Sequence, residues 1–272
     1  MAYSHEITET FNFLTNIHDT RKGVIKSYDM NPSWVKVTTI TITAKLNAPL
    51  DIKHIKEFFG NKDTICVKSN HSKHVVKWTR SQTTFYNQVS VFYDDHKSRK
   101  SVKLFPNGAV QVAGCSDLPE CRRVIKQIAC IVSHITKRKM KIEDFSVAMI
   151  NTNFSFNFSV NLYEVFGTFQ SAGHDTSYNP DRYAAVKIKV EVNPGRFVTA
   201  SIFGSGKVIM TGARCLEEIS STYGTIMKVV CENQYSIFDE KSEKPDKFEY
   251  YRGVPIPMWL EKISKITIKN NV

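Results

Sequence analysis

The sequence predicts an α+β fold: two pseudo-symmetric copies of an antiparallel sheet, with helices on one face and an extension at each terminus. Three observations predict it. Leu104-Phe105-Pro106-Asn107-Gly108-Ala109-Val110-Gln111-Val112-Ala113-Gly114-Cys115 reappears 98 positions later as Ile202-Phe203-Gly204-Ser205-Gly206-Lys207-Val208-Ile209-Met210-Thr211-Gly212-Ala213. A period this long marks a duplicated domain, not a solenoid. Several segments alternate apolar and polar residues with a period of two, the pattern of strands that bury one face. Each copy of the repeat then runs into a stripe of apolar residues at 3–4 spacing, which is a helix able to cover that face.

Residues 1–33 are polar and mixed and read as a short N-terminal extension whose structure the pattern leaves open. The first repeat is expected over 34–136. In its first strand Ile40, Ile42, Ala44 and Leu46 share one face, and Thr39, Thr41, Thr43 and Lys45 the other. A short helix follows over Asp51–Phe59, then a strand over Tyr86–Tyr93, then the repeated hairpin. The closing helix, near Asp117–His134, carries Leu118, Cys121, Ile125, Ile128, Val132 and Ile135 on one stripe. Ser116 or Asp117 can cap it, and Pro119 suits its first turn.

The second repeat is expected over 137–232 and opens on the basic connection Lys137-Arg138-Lys139-Met140-Lys141. Phe154, Phe156, Phe158 and Val160 alternate with asparagines and serines, and Val186, Ile188 and Val190 with Ala185, Lys187 and Lys189. The second hairpin and a helix near Leu216–Glu232 complete the copy. There Leu216, Ile219, Tyr223, Ile226 and Val230 repeat the first helix's stripe at the same offset of 98. Residues 233–272 form a C-terminal extension with apolar anchors at Val254, Ile256, Met258, Trp259, Leu260 and Ile263.

A content of 42% hydrophobic residues excludes disorder for the bulk of the chain. The net charge of +11 points to a polyanionic partner, nucleic acid or acidic lipid. Six cysteines without a C-x-x-C pair read as reduced thiols. No apolar run is long enough for a membrane span or a leader, so a soluble protein that is not secreted is expected.

The polar faces of the strands bear the functional expectation. Phe105 and Phe203 sit on those faces, because Val102, Leu104, Val198, Ala200 and Ile202 occupy the opposite parity. A symmetric pair of large rings on a cationic, hydrogen-bonding surface marks a binding face.

At these residues the chain resembles the TATA-box-binding protein family. Ser177-Tyr178-Asn179-Pro180-Asp181-Arg182-Tyr183-Ala184-Ala185-Val186 is similar to the family's E-Y-N-P-K-R-F-A-A-V segment, and Ile202–Ala213 to its I-F-x-S-G-K-V-V-x-T-G-A hairpin. The resemblance covers roughly 34–232, is closer in the second half, and looks most like variants encoded by large DNA viruses. It implies a TBP-like saddle, in which the sheet of each copy is curved with its helices on the convex face. The concave face then binds and bends A·T-rich promoter DNA through the minor groove, as a transcription initiation factor. Phe203 and Tyr183 match one pair of kinking aromatics, and Phe105 and Tyr86 the other. Arg182, Lys187, Lys189, Arg196 and Lys207 match the line of phosphates, and Thr211 a threonine that contacts base edges. Thr39 and Asn151 stand for the family's paired asparagines. Gln111 brings a polar group to a floor that is usually apolar, and Ala113 replaces the first-half threonine. The implied partners are double-stranded DNA, general transcription initiation factors and RNA polymerase, in the nucleus or at a cytoplasmic viral replication site.

Other chemistry is weaker. Gly204-Ser205-Gly206-Lys207 lacks the first glycine of a phosphate loop and precedes a strand, so it reads as a hairpin turn. Cys66, His71 and His74 lack a fourth zinc ligand at suitable spacing. The carboxylate pairs Asp94-Asp95, Glu143-Asp144 and Glu217-Glu218 read as solvated turns and helix N-terminal charge. No enzyme, metal or cofactor is expected. The alternative is a protein–protein assembly module that keeps the scaffold without specific DNA binding, and a further one is single-strand binding by base stacking.

Overall fold

A computed structural model of the chain describes residues 2–61, 64–69, 72–80, 85–94, 99–246, 250–251, 254–256, 258 and 260–261. The chain divides into two compact units, residues 39–150 and residues 1–38 with 151–272. β1 (Lys36–Leu46) and β7 (Ile142–Ser155) each start in one unit and end in the other.

In the unit of residues 39–150, β1 is followed by α2 (Ile52–Asn61), β2 (Thr64–Ser69), β3 (Ser72–Arg80), β4 (Val89–Asp94), β5 (Arg99–Leu104), β6 (Ala109–Cys115) and α3 (Leu118–Thr136). The sheet is antiparallel in the order β2-β3-β4-β5-β6-β1. The predicted parity holds, with Ile40, Ile42, Ala44, Leu46, Val102, Leu104, Val110 and Val112 buried; α3 packs on β6 and α2 on β4 and β3. Asp117 caps α3 by accepting the Glu120 N–H at 2.7 Å. Each fully buried aliphatic side chain of this layer contributes about 1.5–3 kcal/mol.

The other unit holds α1 (Ala2–Ser27), the end of β7, β8 (Phe158–Val160), α4 (Leu162–Ser171), β9 (Asp175–Asn179), β10 (Tyr183–Asn193), β11 (Arg196–Phe203), β12 (Lys207–Ala213), α5 (Leu216–Glu232), α6 (Gln234–Ile237) and β13 (Phe238–Lys241). Its strand order is β7-β12-β11-β10-β9. α5 packs on β10, β11 and β12, sealing Ile219, Tyr223, Ile226 and Val230 with Val186, Ile188, Ala200 and Ile202.

The duplication is written in the hydrogen bonds. Leu46 N–H donates to Gly108 O at 2.8 Å, and Phe156 N–H to Gly206 O at 2.9 Å. Leu50 N–H donates to Pro106 O and Val160 N–H to Gly204 O. The donors lie 110 positions apart and the acceptors 98, so the first repeat holds twelve more residues between its first helix and its hairpin. They build β2, an edge strand without a counterpart in the second repeat, where β9 is already the edge. Gly108 (φ +84°) and Gly206 (φ +73°) close the two hairpins in the left-handed region. A Cβ on Gly108 would stand 2.6 Å from Ala48 O, and one on Gly206 would overlap Phe158 O.

Two strand expectations are corrected, and the N-terminal extension, whose structure the sequence left open, is a 26-residue helix. Its Phe13, Leu14, Ile17 and Val24 are buried, it packs on α5, and Glu9 Oε1 accepts the Leu216 N–H at 3.2 Å. That spacing is helical but sparse among polar residues, which is why it escaped notice. The strand expected from Tyr86 starts at Val89, because Tyr86 and Asn87 form a turn. The strand expected through Phe158 and Val160 breaks at Asn157, whose φ is +64°. In the tail, Ile256 is buried and Met258 exposed, whereas Trp259 and Ile263 lie outside the described residues.

Candidate nucleic-acid interface

In the second repeat the face of the sheet away from α5 carries Tyr183, Lys187, Lys189, Phe197, Thr199, Phe203 and Thr211. Alternation along β10, β11 and β12 sends their neighbours into the core, so these side chains have no helix to meet. Register places Phe203 beside Ala185 and Thr211 beside Thr199. The Tyr183 and Phe203 rings meet edge to face, 5.7 Å apart at 64°. Lys187 Nζ sits 4.5 Å from the Tyr183 ring centre, so the aromatic pair is flanked by a cation. Lys189 is exposed but pairs with Asp175 at 2.7 Å. Arg182 is exposed in the turn between β9 and β10. Asn151 shares its face of β7 with Asn153, whose Oδ1 has no hydrogen-bond partner among the described residues.

In the first repeat the corresponding face holds Thr39, Thr41, Thr43, Ser101, Lys103, Phe105, Gln111 and Ala113. Gln111 stands between Lys103 and Thr43 in register. Phe105 is half-buried at the hairpin turn, where its N–H donates to Ala109 O at 3.0 Å. Tyr86 is 93% exposed, on a turn held by Lys56 Nζ, which donates to the carbonyls of Phe85 and Tyr86. The two repeats therefore present the same ring types differently: Tyr183 rests on Phe203, and Tyr86 projects into solvent.

Sequence reasoning missed several residues on these faces. Phe92 carries the Arg99 guanidinium 4.2 Å above its ring, and Phe197 is 43% exposed. Phe92 alternates with the buried Val91 and Tyr93, and Phe197 shares the parity of Phe203, so the alternation itself held the signal.

Arg196 departs from expectation. Its position on β11 has the parity of the core, so the side chain turns toward the helix layer, 3.6 Å from Glu218 Oε1, and bonds the Gly212 carbonyl. It does not join Lys187 and Lys189 on the open face. Glu218 supplies helix N-terminal charge in the first turn of α5, as expected, and it is also buried and accepts the Arg214 N–H at 2.7 Å. Lys207 lies at the hairpin as expected, but its Nζ is 3.3 Å from Asp246 Oδ2 of the C-terminal segment. That segment is tied down by Asn157, which accepts from the N–H groups of Ser242 at 2.8 Å and Asp246 at 2.9 Å.

These features define a duplicated α+β protein in which each repeat covers one sheet face with helices and leaves the other polar, cationic and studded with rings. Residues 144–233 match the family described as transcription factor TFIID (or TATA-binding protein, TBP). The fold is similar to that of the TBP of Methanococcus jannaschii, with a TM-score of 0.52 and 15% identity over 73% of this chain and 98% of that one. The chain is also 25% identical over 245 residues to a "TATA-box-binding protein-like" protein of Acanthamoeba polyphaga mimivirus, covering 74% of this chain and 66% of that one. It spans just under two thirds of that relative's length. Residues 144–233 are thus similar to the TBP family, and the chain shares the TBP fold and is similar over most of its length to a TBP-like protein of a mimivirus.

Proposed function

We propose that this chain is a transcription initiation factor that binds A·T-rich duplex DNA through the minor groove and bends it. The observation that carries this reading is the Tyr183–Phe203 pair, two rings in contact on an open face beside Lys187. Rings held by a sheet can enter a base step as a wedge, with Phe105 and Tyr86 as their counterparts in the first repeat. Prying a step apart costs on the order of a few kcal/mol, a figure that comes from DNA-bending proteins of this same family and not from this chain. Contacts that the bend permits along the backbone offset that cost. Lys187, Lys189, Lys207 and Arg182 are the cations that would make them. Asn151 and Asn153 offer amide groups to base-edge acceptors, and Thr211 a hydroxyl. The bent complex would then recruit general initiation factors and RNA polymerase, a non-enzymatic role.

The test is energy transfer between dyes at the two ends of an A·T-rich duplex. Wild-type protein shortens the end-to-end distance, and Phe203→Ala and Phe105→Ala abolish the shortening while melting at the wild-type temperature. An unchanged distance with saturating wild-type protein overturns the reading.

A further inference from the structure

The open faces of the two repeats exchange a ring and a cation. On β4 and β5, register sets Phe92 opposite Ser101 and Asp94 opposite Arg99. On β10 and β11 it sets Lys189 opposite Thr199 and Glu191 opposite Phe197. The two ladders correspond through the core pairs Val89–Leu104 and Val186–Ile202, so Phe92 answers to Lys189 and Arg99 to Phe197. Each repeat thus has one ring and one cation at these two positions, in opposite places. In the first, the Arg99 guanidinium lies 4.2 Å over the Phe92 ring, and being exposed it offers a planar fork of donors to solvent. In the second, Lys189 is tied to Asp175 of β9 at 2.7 Å, and the Phe197 ring is left 43% exposed.

Two explanations compete for that ring. A single exposed aromatic is ordinary on a protein surface. Yet folding gains little from a side chain that keeps so much of its apolar area in water. The first repeat shows that a charged residue serves the same place in the sheet. Phe197 stands across from Glu191, whose carboxylate accepts the Gly195 N–H at 2.8 Å and so turns toward the connection between β10 and β11. Along β11, Phe197 is six residues from Phe203, about 20 Å at 3.3–3.4 Å per residue. A ligand laid on this face therefore meets Phe197 at a point well away from the Tyr183–Phe203 pair.

We propose that Phe197 is a further DNA-binding residue, an apolar contact set where the first repeat places the Arg99 guanidinium. Its ring lies against deoxyribose on the wall of the minor groove, away from the wedged step. Arg99 meets a phosphate in the half of the site that the first repeat takes. The repeats then hold one duplex by different chemistry, a cation in the first and a ring buried on binding in the second. This rests on the DNA-binding reading above.

The experiment measures binding of the full chain to an A·T-rich duplex by fluorescence anisotropy over a series of salt concentrations, with end-to-end energy transfer on the bound duplex. Phe197→Ala weakens binding about tenfold at every salt concentration, which is the loss of one well-buried apolar contact. Its log–log salt slope equals that of the wild type, because no charge is removed, and the bound duplex is bent to the wild-type distance. Phe197→Arg, which installs the first repeat's residue, steepens the slope by about 0.9, and Arg99→Gln flattens it by the same amount. Should Phe197→Ala melt early, Phe197→Thr is read in its place by the same criteria, since threonine suits a strand. An affinity within about twofold of wild type in the folded variant, or a Phe197→Arg slope no steeper than wild type, overturns the contact and leaves the DNA reading standing. Wild-type protein that does not bind the duplex overturns both.

Discussion

Glu120 and Glu218, 98 positions apart, hold their repeats in the same way. Each buried carboxylate accepts the N–H four residues earlier, Ser116 at 2.6 Å and Arg214 at 2.7 Å, and so closes the start of its helix. Each also meets a cation from a strand: Lys100 Nζ at 3.0 Å from Glu120, and Arg196 Nε at 3.6 Å from Glu218. Burial alone would raise the Glu120 carboxyl, but hydrogen bonds from Ser116 and Lys100 outweigh it and hold the group below its ordinary 4.5. A depressed carboxylate stabilises the fold above its unfolded value and loses that contribution as pH falls through the folded one. Acid unfolding of the wild type should therefore steepen below pH 4.5. Glu120→Gln should flatten that limb and, by removing the charge that faces the fully buried Lys100 at 3.0 Å, lower stability at neutral pH by up to about 3–5 kcal/mol. Urea melts across the pH range read both effects.

The Tyr223 hydroxyl is buried among Phe154 and its neighbours, and among the described residues it has no hydrogen-bond partner. Burial accordingly pushes its ionisation upward. A buried hydroxyl left unmatched costs about 1–3 kcal/mol. Tyr223→Phe keeps the ring contact with Phe154 and removes the orphan group, so the melting temperature should hold or rise. A drop would show that the hydroxyl is engaged in solution.

Gly206 and Gly195 both have positive φ, +73° and +71°, but only Gly206 is crowded. Gly195→Ala meets nothing within 4 Å and bears backbone strain alone, about 1–2 kcal/mol. Gly206→Ala adds the overlap with the Phe158 carbonyl and should destabilise severely, with loss of cooperative unfolding. Equal costs in calorimetry would contradict the placement of Phe158 under the hairpin.

Lys207, Arg196 and Asp246 separate the two sides of the second sheet. If Lys207 meets a phosphate, Lys207→Gln lowers the salt slope of duplex binding by about 0.9, with little change in stability. Arg196→Gln should do the reverse, lowering the melting temperature and leaving the slope intact, because its partners are Glu218 and the Gly212 carbonyl. Asp246→Asn releases Lys207 from its ion pair and should tighten binding at low salt with a slope steeper by up to about one unit. Identical salt dependence across the three variants would remove Lys207 from the DNA contact.

Much of the site was legible because parity is local. Phe105 and Phe203 belong to the open face by alternation with Leu104 and Ile202, and no distant contact is needed to know it. The same rule would have placed Arg196 with the core, and Phe92 and Phe197 on the open face. Resemblance to a family's phosphate line, which assigns residues by position along the strand, put Arg196 on the wrong side. Tyr86 and Tyr183 looked equivalent in sequence, yet one projects into solvent and the other rests on a ring. That difference depends on the turn that Lys56 braces and on β10 starting at Tyr183, which no window of sequence contains.

By itself the sequence determined the duplication, the alternating strands, the two striped helices and the cationic, aromatic polar faces. These follow from periods of two and 3.6 residues, which each segment sets for itself. Only the tertiary structure decided that α1 covers α5, that twelve extra residues become an edge strand, and that Asp246 reaches Lys207. Each depends on segments far apart in the chain finding one another, and such pairings are chosen by burial and charge across the whole unit.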